Sequence, residues 1–191
     1  MGRPKEPEKA ILFLAFLYTN DSYFMEATEV LYKEFGKPIL DSGKQNWPYY
    51  RYYEEELGLG IMRQFLLFEK LIDPADIVPI KHYTNSIETS IGRVCRHTSL
   101  CAYTPGRDLK RTVNIDPGYI TLAKVVLAST KNYSHRVYLR DGIYGEVTLY
   151  FKGGTFYGHE FTYQDYKEVQ TVDFLVNGRN VLKRLIYTQI N

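Results

Sequence analysis

The sequence is poor in the groups that most often announce a chemistry. Only two cysteines, Cys95 and Cys101, occur in 191 residues, with His97 between them. Two thiols and one histidine cannot close a tetrahedral zinc site, and the other three histidines lie far off in the chain. No metal set is expected. Charge of one sign is also missing: the formal net charge is +2, too small by itself to argue for nucleic acid or an anionic membrane. The apolar run Ala10 to Tyr18 has about half the length a membrane span needs. It lacks a cationic segment before it and a small-residue cleavage site after it, so no export signal is read and the expected location is the cytoplasm. Cys95 and Cys101 are expected to be reduced there, with a small disulfide loop as the alternative. Phosphate and nucleophile motifs are absent as well. There is no G-x-x-x-x-G-K-[ST] loop, no G-x-G-x-x-G after a strand, no G-x-S-x-G, no H-E-x-x-H and no paired C-x-x-C. The common ATPase, dehydrogenase, serine-hydrolase and zinc-peptidase readings have no support, and no motif names a cofactor.

What is present is ordinary globular material. Hydrophobic residues make up 45% and charged residues 24%. A single domain of this length buries roughly 70% of its unfolded surface, enough for a core without staples. Only Met1 to Lys9, charged and carrying two prolines, is expected to be flexible. The eighteen tyrosines suit half-buried strand faces and wet pockets alike.

Periodicity predicts an α+β fold: one domain over 1–191, with a mixed or mainly antiparallel sheet packed by two or three helices. Ala10 to Tyr18 reads as a strand buried on both faces. Phe24, Ala27, Leu31 and Phe35 follow helical spacing between an Asp21 or Ser22 cap and the Gly36/Pro38 stop. Tyr49 to Leu57 and Ile61 to Ile72 read as two extended segments joined at Gly58-Leu59-Gly60. Asp73-Pro74 starts a helix carried by Ile77, Ile80, Thr84, Ile87 and Ile91, although Pro79 removes a donor one turn in. Residues 92–110 turn polar and basic and read as a surface excursion. Arg111 to Ile115 resumes as a strand, Asp116-Pro117-Gly118 turns the chain, and Tyr119 to Ala128 is the next strand. Asp141-Gly142, between His135–Arg140 and Ile143–Phe151, is the strongest hairpin signal. Tyr163 to Leu185 reads as helical with a break near Asn177-Gly178.

Candidate chemistry concentrates between Asn114 and Glu146. Asn114, Asp116 and the backbone at Gly118 border the expected turn, where exposed N–H groups can bind an anion. Lys124 stands between Leu122 and Val126 on one strand face, with its stem buried or, alternatively, as an edge-strand guard. With Asp141 and Gly142 as the loop, Val137 faces Glu146 and His135 faces Thr148, so His135 and Glu146 become diagonal neighbours. A carboxylate beside a histidine raises its basicity and fixes its tautomer, as general-base work requires; the same pair also serves as a purely structural couple. Arg136 points to the opposite face, so His135 and Arg136 share a pocket only if a bulge rotates one. Lys81, Asn85 and Glu88, spaced by four and three, share a helix face read as solvated. Thr162 and Asp165 fit a helix cap.

Several segments resemble a known family. L-I-D-P (71–74), I-K-x-x-T-N-x-x-E (80–88), N-I-D-P-G-Y (114–119), H-R-V-Y-L (135–139), G-I-Y-G-E-V-T-L (142–149) and T-Y-x-D-Y (162–166) occur in the order seen in the prokaryotic domain-of-unknown-function family 4416. Y-Y-E-E-E-L-G (52–58) and the opening Leu-Phe-Leu-Ala strand also fit, whereas Cys95 to Lys110 departs from the pattern. Members are sometimes labelled GTP-binding, yet this sequence has neither a phosphate loop nor an N-K-x-D motif. The resemblance implies no catalytic roles.

Two main functional expectations follow. The first is binding or turnover of a small phosphorylated or nucleotide-like molecule. Lys124 and Lys131 would hold its anion with Asn114, Gly118 and Arg136, while His135 would transfer a proton, oriented by Glu146, with Asp116 a further catalytic candidate. The second is an RNA- or protein-binding module using Arg93, Arg96, Tyr103, Arg107, Lys110 and Arg111, whose basic and aromatic interleaving suits unstacked bases. An oligomeric scaffold without a ligand is the third, and no oligomeric state is read.

Overall fold

The computed structural model describes residues 2–49, 51–97 and 111–190. Strand β1 (Ala10–Tyr18) is buried along its whole length, as its unbroken apolar run predicts. Helix α1 (Asp21–Phe35) follows, capped by Asn20, whose side chain accepts from Ser22 N, and ended by Gly36 at φ 81°. Strands β2 (Pro38–Asp41) and β3 (Gln45–Asn46) come next, both pairing with the long β4 (Met62–Ile72). Between β3 and β4 lies helix α2 (Arg51–Leu57), where an extended segment was expected. The correction has a physical basis: Tyr53 packs on Trp47 while Glu56 turns to Arg111, and Gly58 and Gly60 at positive φ end the helix, not a hairpin. A 3-10 turn (Pro74–Asp76) with a capping box on Asp73 opens helix α3 (Ile77–His97). Pro79 lies in the first turn of α3, where its missing N–H has no helical acceptor to lose.

The chain then forms β5 (Val113–Ile120), β6 (Lys124–Ser129), β7 (Val137–Arg140), β8 (Ile143–Lys152) and β9 (Thr155–Gly158). A 3-10 turn (Gln164–Tyr166) precedes helix α4 (Val169–Ile190), which runs unbroken through Asn177-Gly178. Gly178 is needed for close approach: a Cβ there would meet Ile120 Cδ1 at 2.8 Å. Among the described residues nine strands make an open antiparallel sheet, seven in the order β2-β4-β1-β5-β6-β8-β7 with β3 also on β4 and β9 also on β8, and with four helices the expected α+β class holds. Even-numbered β1 residues Leu12, Leu14 and Phe16 face α1 and α3. Odd-numbered Ile11, Phe13 and Ala15 face α4.

Three strand assignments need correcting. Asp116-Pro117-Gly118 does not turn; β5 continues through it, paired to β1 from Val113 to Ile120. The turn comes later, at Thr121–Ala123, where Thr121 Oγ1 accepts from Ala123 N and Lys124 N. Lys124 therefore begins β6 exposed, with no buried stem. In the β7–β8 hairpin, Asp141 (φ 52°) and Gly142 (φ 75°) make the expected two-residue turn, but Leu139 is an extra residue, so Val137 faces Gly145 instead of Glu146.

Gly118 is walled in. A Cβ there would lie 2.4 Å from Phe13 Cζ and 2.8 Å from Leu127 Cδ2, so its backbone is no open anion nest. Gly118→Ala is expected to destabilise the fold by about 1–3 kcal/mol through overpacking, measured as a lower urea midpoint with unchanged slope.

Candidate functional site

The ladder between β5 and β6 covers only Gly118, Tyr119 and Ile120. Below it the two strands part. Ile115 N–H and C=O point away from β1, and residues two apart on a strand send their amides the same way. Pro117 thus turns toward β6 the one backbone nitrogen that carries no hydrogen. In place of a strand, α3 supplies side chains: Glu88 Oε1 accepts from Ile115 N at 2.7 Å, and Lys81 Nζ donates to Ile115 O at 3.2 Å. The helix face expected to be solvated is turned inward, and Lys81 and Glu88 are buried.

The split holds a cavity of about 120 Å³ that reaches both faces of the sheet. Lys81 and Asn85 enter from the α3 side, Tyr163, Asp165 and Tyr166 from the α4 side, and Asn114 and Asp116 from β5. Arg63 comes from β4, Lys131 and Arg136 from the connection after β6, and Glu146 from β8.

Three ion-paired groups hold this lining. In the first, Lys81 Nζ meets Asp116 Oδ1 at 2.9 Å, Asn114 Nδ2 donates to Asp116 Oδ2 at 2.7 Å, and Arg111 Nη1 donates to Asn114 Oδ1 at 2.8 Å. Arg111 is itself paired with Glu56 and Glu88. Burial alone would raise the Asp116 pKa, but the charge and hydrogen bond of Lys81, with Asn114, more than offset it and hold the carboxyl below its usual range. Burial pushes Glu88 the other way, above the ordinary carboxylate value, although Lys81, the Ile115 amide and Arg111 pull it down.

The second group centres on Glu146. Its Oε2 accepts from Arg136 Nε at 2.6 Å and lies 3.0 Å from His135 Nε2; its Oε1 accepts from Thr148 Oγ1 at 3.2 Å. Arg136 also donates to Ser129 Oγ, Lys131 O and Tyr163 Oη. Desolvation of this guanidinium is outweighed by Glu146 and Tyr163, which raise its pKa, so it stays cationic. His135 and Arg136 reach one carboxylate together, contrary to the expected opposition of faces. The reason is local: they precede β7 in a turn closed by Arg136 N donating to Tyr133 O, so strand alternation does not apply. The third group joins Arg63 and Trp47 Nε1 to Asp165 Oδ2. Thr162 does not cap a helix; it accepts from His159 N and donates to Thr148 O, which frees Asp165 to turn inward.

Of the residues singled out from the sequence, Asn114, Asp116, Lys131, Arg136 and Glu146 line this cavity. Gly118 does not, being packed beneath Phe13. His135 sits behind Glu146, stacked on Phe161 with ring centroids 4.7 Å apart, and lines an open groove with Lys124 on the outer side. Glu146 borders both spaces. Arg63 and Tyr163 were not recognised as site residues, and Asp165 was read as a cap; the available signal was a charged residue inside the apolar β4 run. Tyr103, Arg107, Lys110 and Cys101 lie outside the described residues, while Arg93, Cys95 and Arg96 fall in the last turns of α3. Among the described residues no group of three or more metal-ligating side chains converges, and no helix is long and apolar enough to cross a membrane.

A family model described as Domain of unknown function (DUF4416) matches residues 8–181. The chain belongs to this family. The DUF4416 match reaches across every side chain of the cavity and also spans Cys95 to Lys110, which the sequence motifs did not cover. No curated protein and no solved structure matches the chain.

Asp116→Asn leaves the Lys81 ammonium without its carboxylate and is expected to cost about 3–5 kcal/mol, the range for breaking one side of a buried pair. Lys81→Met with Asp116→Leu should cost less than the two single changes added, as a urea double-mutant cycle would show. The pH dependence has a definite sign. The folded Asp116 pKa lies below an unfolded value of about 3.9, so its contribution is complete above about pH 4 and fades as pH falls through the lower folded value. The difference between wild-type and Asp116→Asn acid-denaturation curves isolates that contribution.

Proposed function

We propose that this protein binds a small phosphorylated molecule in the cavity that passes through the sheet. The observation that carries the reading is the convergence of Arg63, Lys81, Lys131 and Arg136 on one space of about 120 Å³. They stand there against three carboxylates, Asp116, Glu146 and Asp165, while Arg111, also in the lining, is balanced by Glu56 and Glu88. These four cations, from three separate chain segments, favour an anionic group, and a phosphate fits that volume. Lys81 adds a specific donor: its ammonium has three N–H groups, of which Ile115 O and Asp116 take two, leaving one for the cavity.

Asp116, kept ionised, is the carboxylate available to accept a hydrogen bond from a bound hydroxyl. His135 acts at one remove. Its Nε2 carries the hydrogen toward Glu146, fixing the carboxylate that in turn fixes Arg136. Of the residues that would serve the RNA-binding alternative, Arg111 turns into the buried carboxylates and not outward.

The test is thermal melting and calorimetric titration with inorganic phosphate and pyrophosphate, each beside chloride at equal ionic strength, and with sugar phosphates and nucleoside monophosphates, each beside its unphosphorylated counterpart. At least one phosphorylated compound should raise the melting temperature while its counterpart does not. Lys131→Ala should weaken that binding by about tenfold or more with little loss of stability, in keeping with one charged hydrogen bond. His135→Gln should weaken it less. A panel without any phosphate-dependent shift would sink the reading.

A further inference from the structure

Arg63 and Asp165 form one wall of the through-sheet cavity, and they also line a second cavity of about 310 Å³ beside the start of α4, with Lys44, Trp47, Gln170 and Thr171. They are only 5% and 4% exposed. A guanidinium can meet a carboxylate side-on, Nε and Nη2 each donating to one oxygen. Here only half of that arrangement is made. Nη2 donates to Oδ2, which Trp47 Nε1 shares at 3.0 Å, while Arg63 Nε and Asp165 Oδ1 have no hydrogen-bond partner. The guanidinium is held in place by the faces of Phe65 and Tyr166, 4.7 and 5.1 Å from its central carbon. A buried donor and a buried acceptor left over from the same pair are costly unless a third group meets them.

We propose that this half-made pair reads a hydroxyl of the bound molecule, so that the ligand is a phosphorylated polyol, a sugar phosphate or the ribose phosphate of a nucleotide. The inference rests on the phosphate reading above. The two open positions select the chemistry. A hydroxyl oxygen accepts from Nε–H and gives its own hydrogen to Oδ1, closing the pair through one atom. A second anionic group has no hydrogen for Asp165, and an ammonium has no lone pair for Arg63. The volume of the cavity keeps this hydroxyl within a few bonds of a phosphate held by Lys81 and Arg136.

Two matched pairs of probes test this with the wild-type chain: glycerol 3-phosphate against propyl phosphate, and ribose 5-phosphate against tetrahydrofurfuryl phosphate. Each pair differs only in its hydroxyl groups. In at least one pair the polyol should bind about tenfold more tightly or better, since a site built to meet a hydroxyl discriminates against its absence. Arg63→Lys keeps a cation but deletes the Nε donor, and it should bring the ratio of affinities within each pair close to one, whatever it does to phosphate affinity itself. Equal affinities within both pairs would mean that a water closes the gap; that overturns the hydroxyl reading and leaves phosphate binding standing. A folded Arg63→Lys protein that keeps the full preference also overturns it. If Arg63→Lys does not fold, the wild-type pairs alone decide. Failure of all four compounds and of inorganic phosphate to bind overturns both readings together.

Discussion

The site depends on a hydrogen bond that cannot form. Pro117 has no N–H to offer β6, and the β5–β6 ladder ends one residue later, at Gly118. An ordinary central strand would continue pairing and close the sheet. Here β5 stays fully paired to β1 on its other edge, so it is held straight while β6 leaves it. The backbone groups exposed in the split still need partners, because unmet amides inside a protein are expensive. Lys81 and Glu88 serve Ile115 from α3, and this forces two charged side chains into the plane of the sheet. Their own charges then demand Asp116 and Arg111, and those in turn engage Asn114 and Glu56. A single missing donor thus sits next to a chain of ionic contacts that crosses the sheet.

The chemical consequence is an asymmetry between the two halves of the molecule. The β2-β4-β1 half is closed by apolar packing on both faces, with β1 wholly inaccessible to water. The β6-β8-β7 half carries charged groups on the cavity wall, Glu146 and Arg136 among them, bonded to each other. Arg136 is fastened on three sides, by Glu146, by Ser129 with the Lys131 carbonyl, and by Tyr163. Such fastening presents a charge at a fixed place without needing to reorganise when an anion arrives. It also ties the loop after β6 to the turn before α4, so the two halves meet through polar bonds.

How much of this could be read from the chain depends on whether the cause was local. The β1 run, the α1 stop at Gly36 and the Asp141-Gly142 turn are set by neighbouring residues and are in place in the fold, although the α1 N-cap is Asn20 and not Asp21 or Ser22. Asn114, Asp116, Arg136 and Glu146 could be singled out because they cluster within one polar stretch. The turn assigned to Asp116-Pro117-Gly118 failed because proline and glycine signal a break in either of two ways. They can reverse a chain, or they can end a ladder on one edge and pack tightly on one face; only the position of β1 and Phe13 decides between these. The spacing of Lys81, Asn85 and Glu88 was visible, but whether that face meets water or the sheet depends on a gap made by residues 27 positions away or more. Arg63 and Asp165, 102 residues apart, have no local relation at all.

The charges themselves argue for a ligand. A buried ion pair replaced by apolar side chains of similar volume is often as stable or more so, because removing two charges from water costs most of what their attraction returns. Stability therefore gives little reason to place Arg63, Lys81, Arg136 and their carboxylates around a space when leucines could fill it. A fully satisfied network could still be explained as a device for a unique fold. This one is not fully satisfied: Arg63 Nε and Asp165 Oδ1 are open, and Lys81 retains a donor. Groups held rigid at such cost, with unused bonding capacity around a common hollow, are what the proposed binding of a phosphorylated molecule would use.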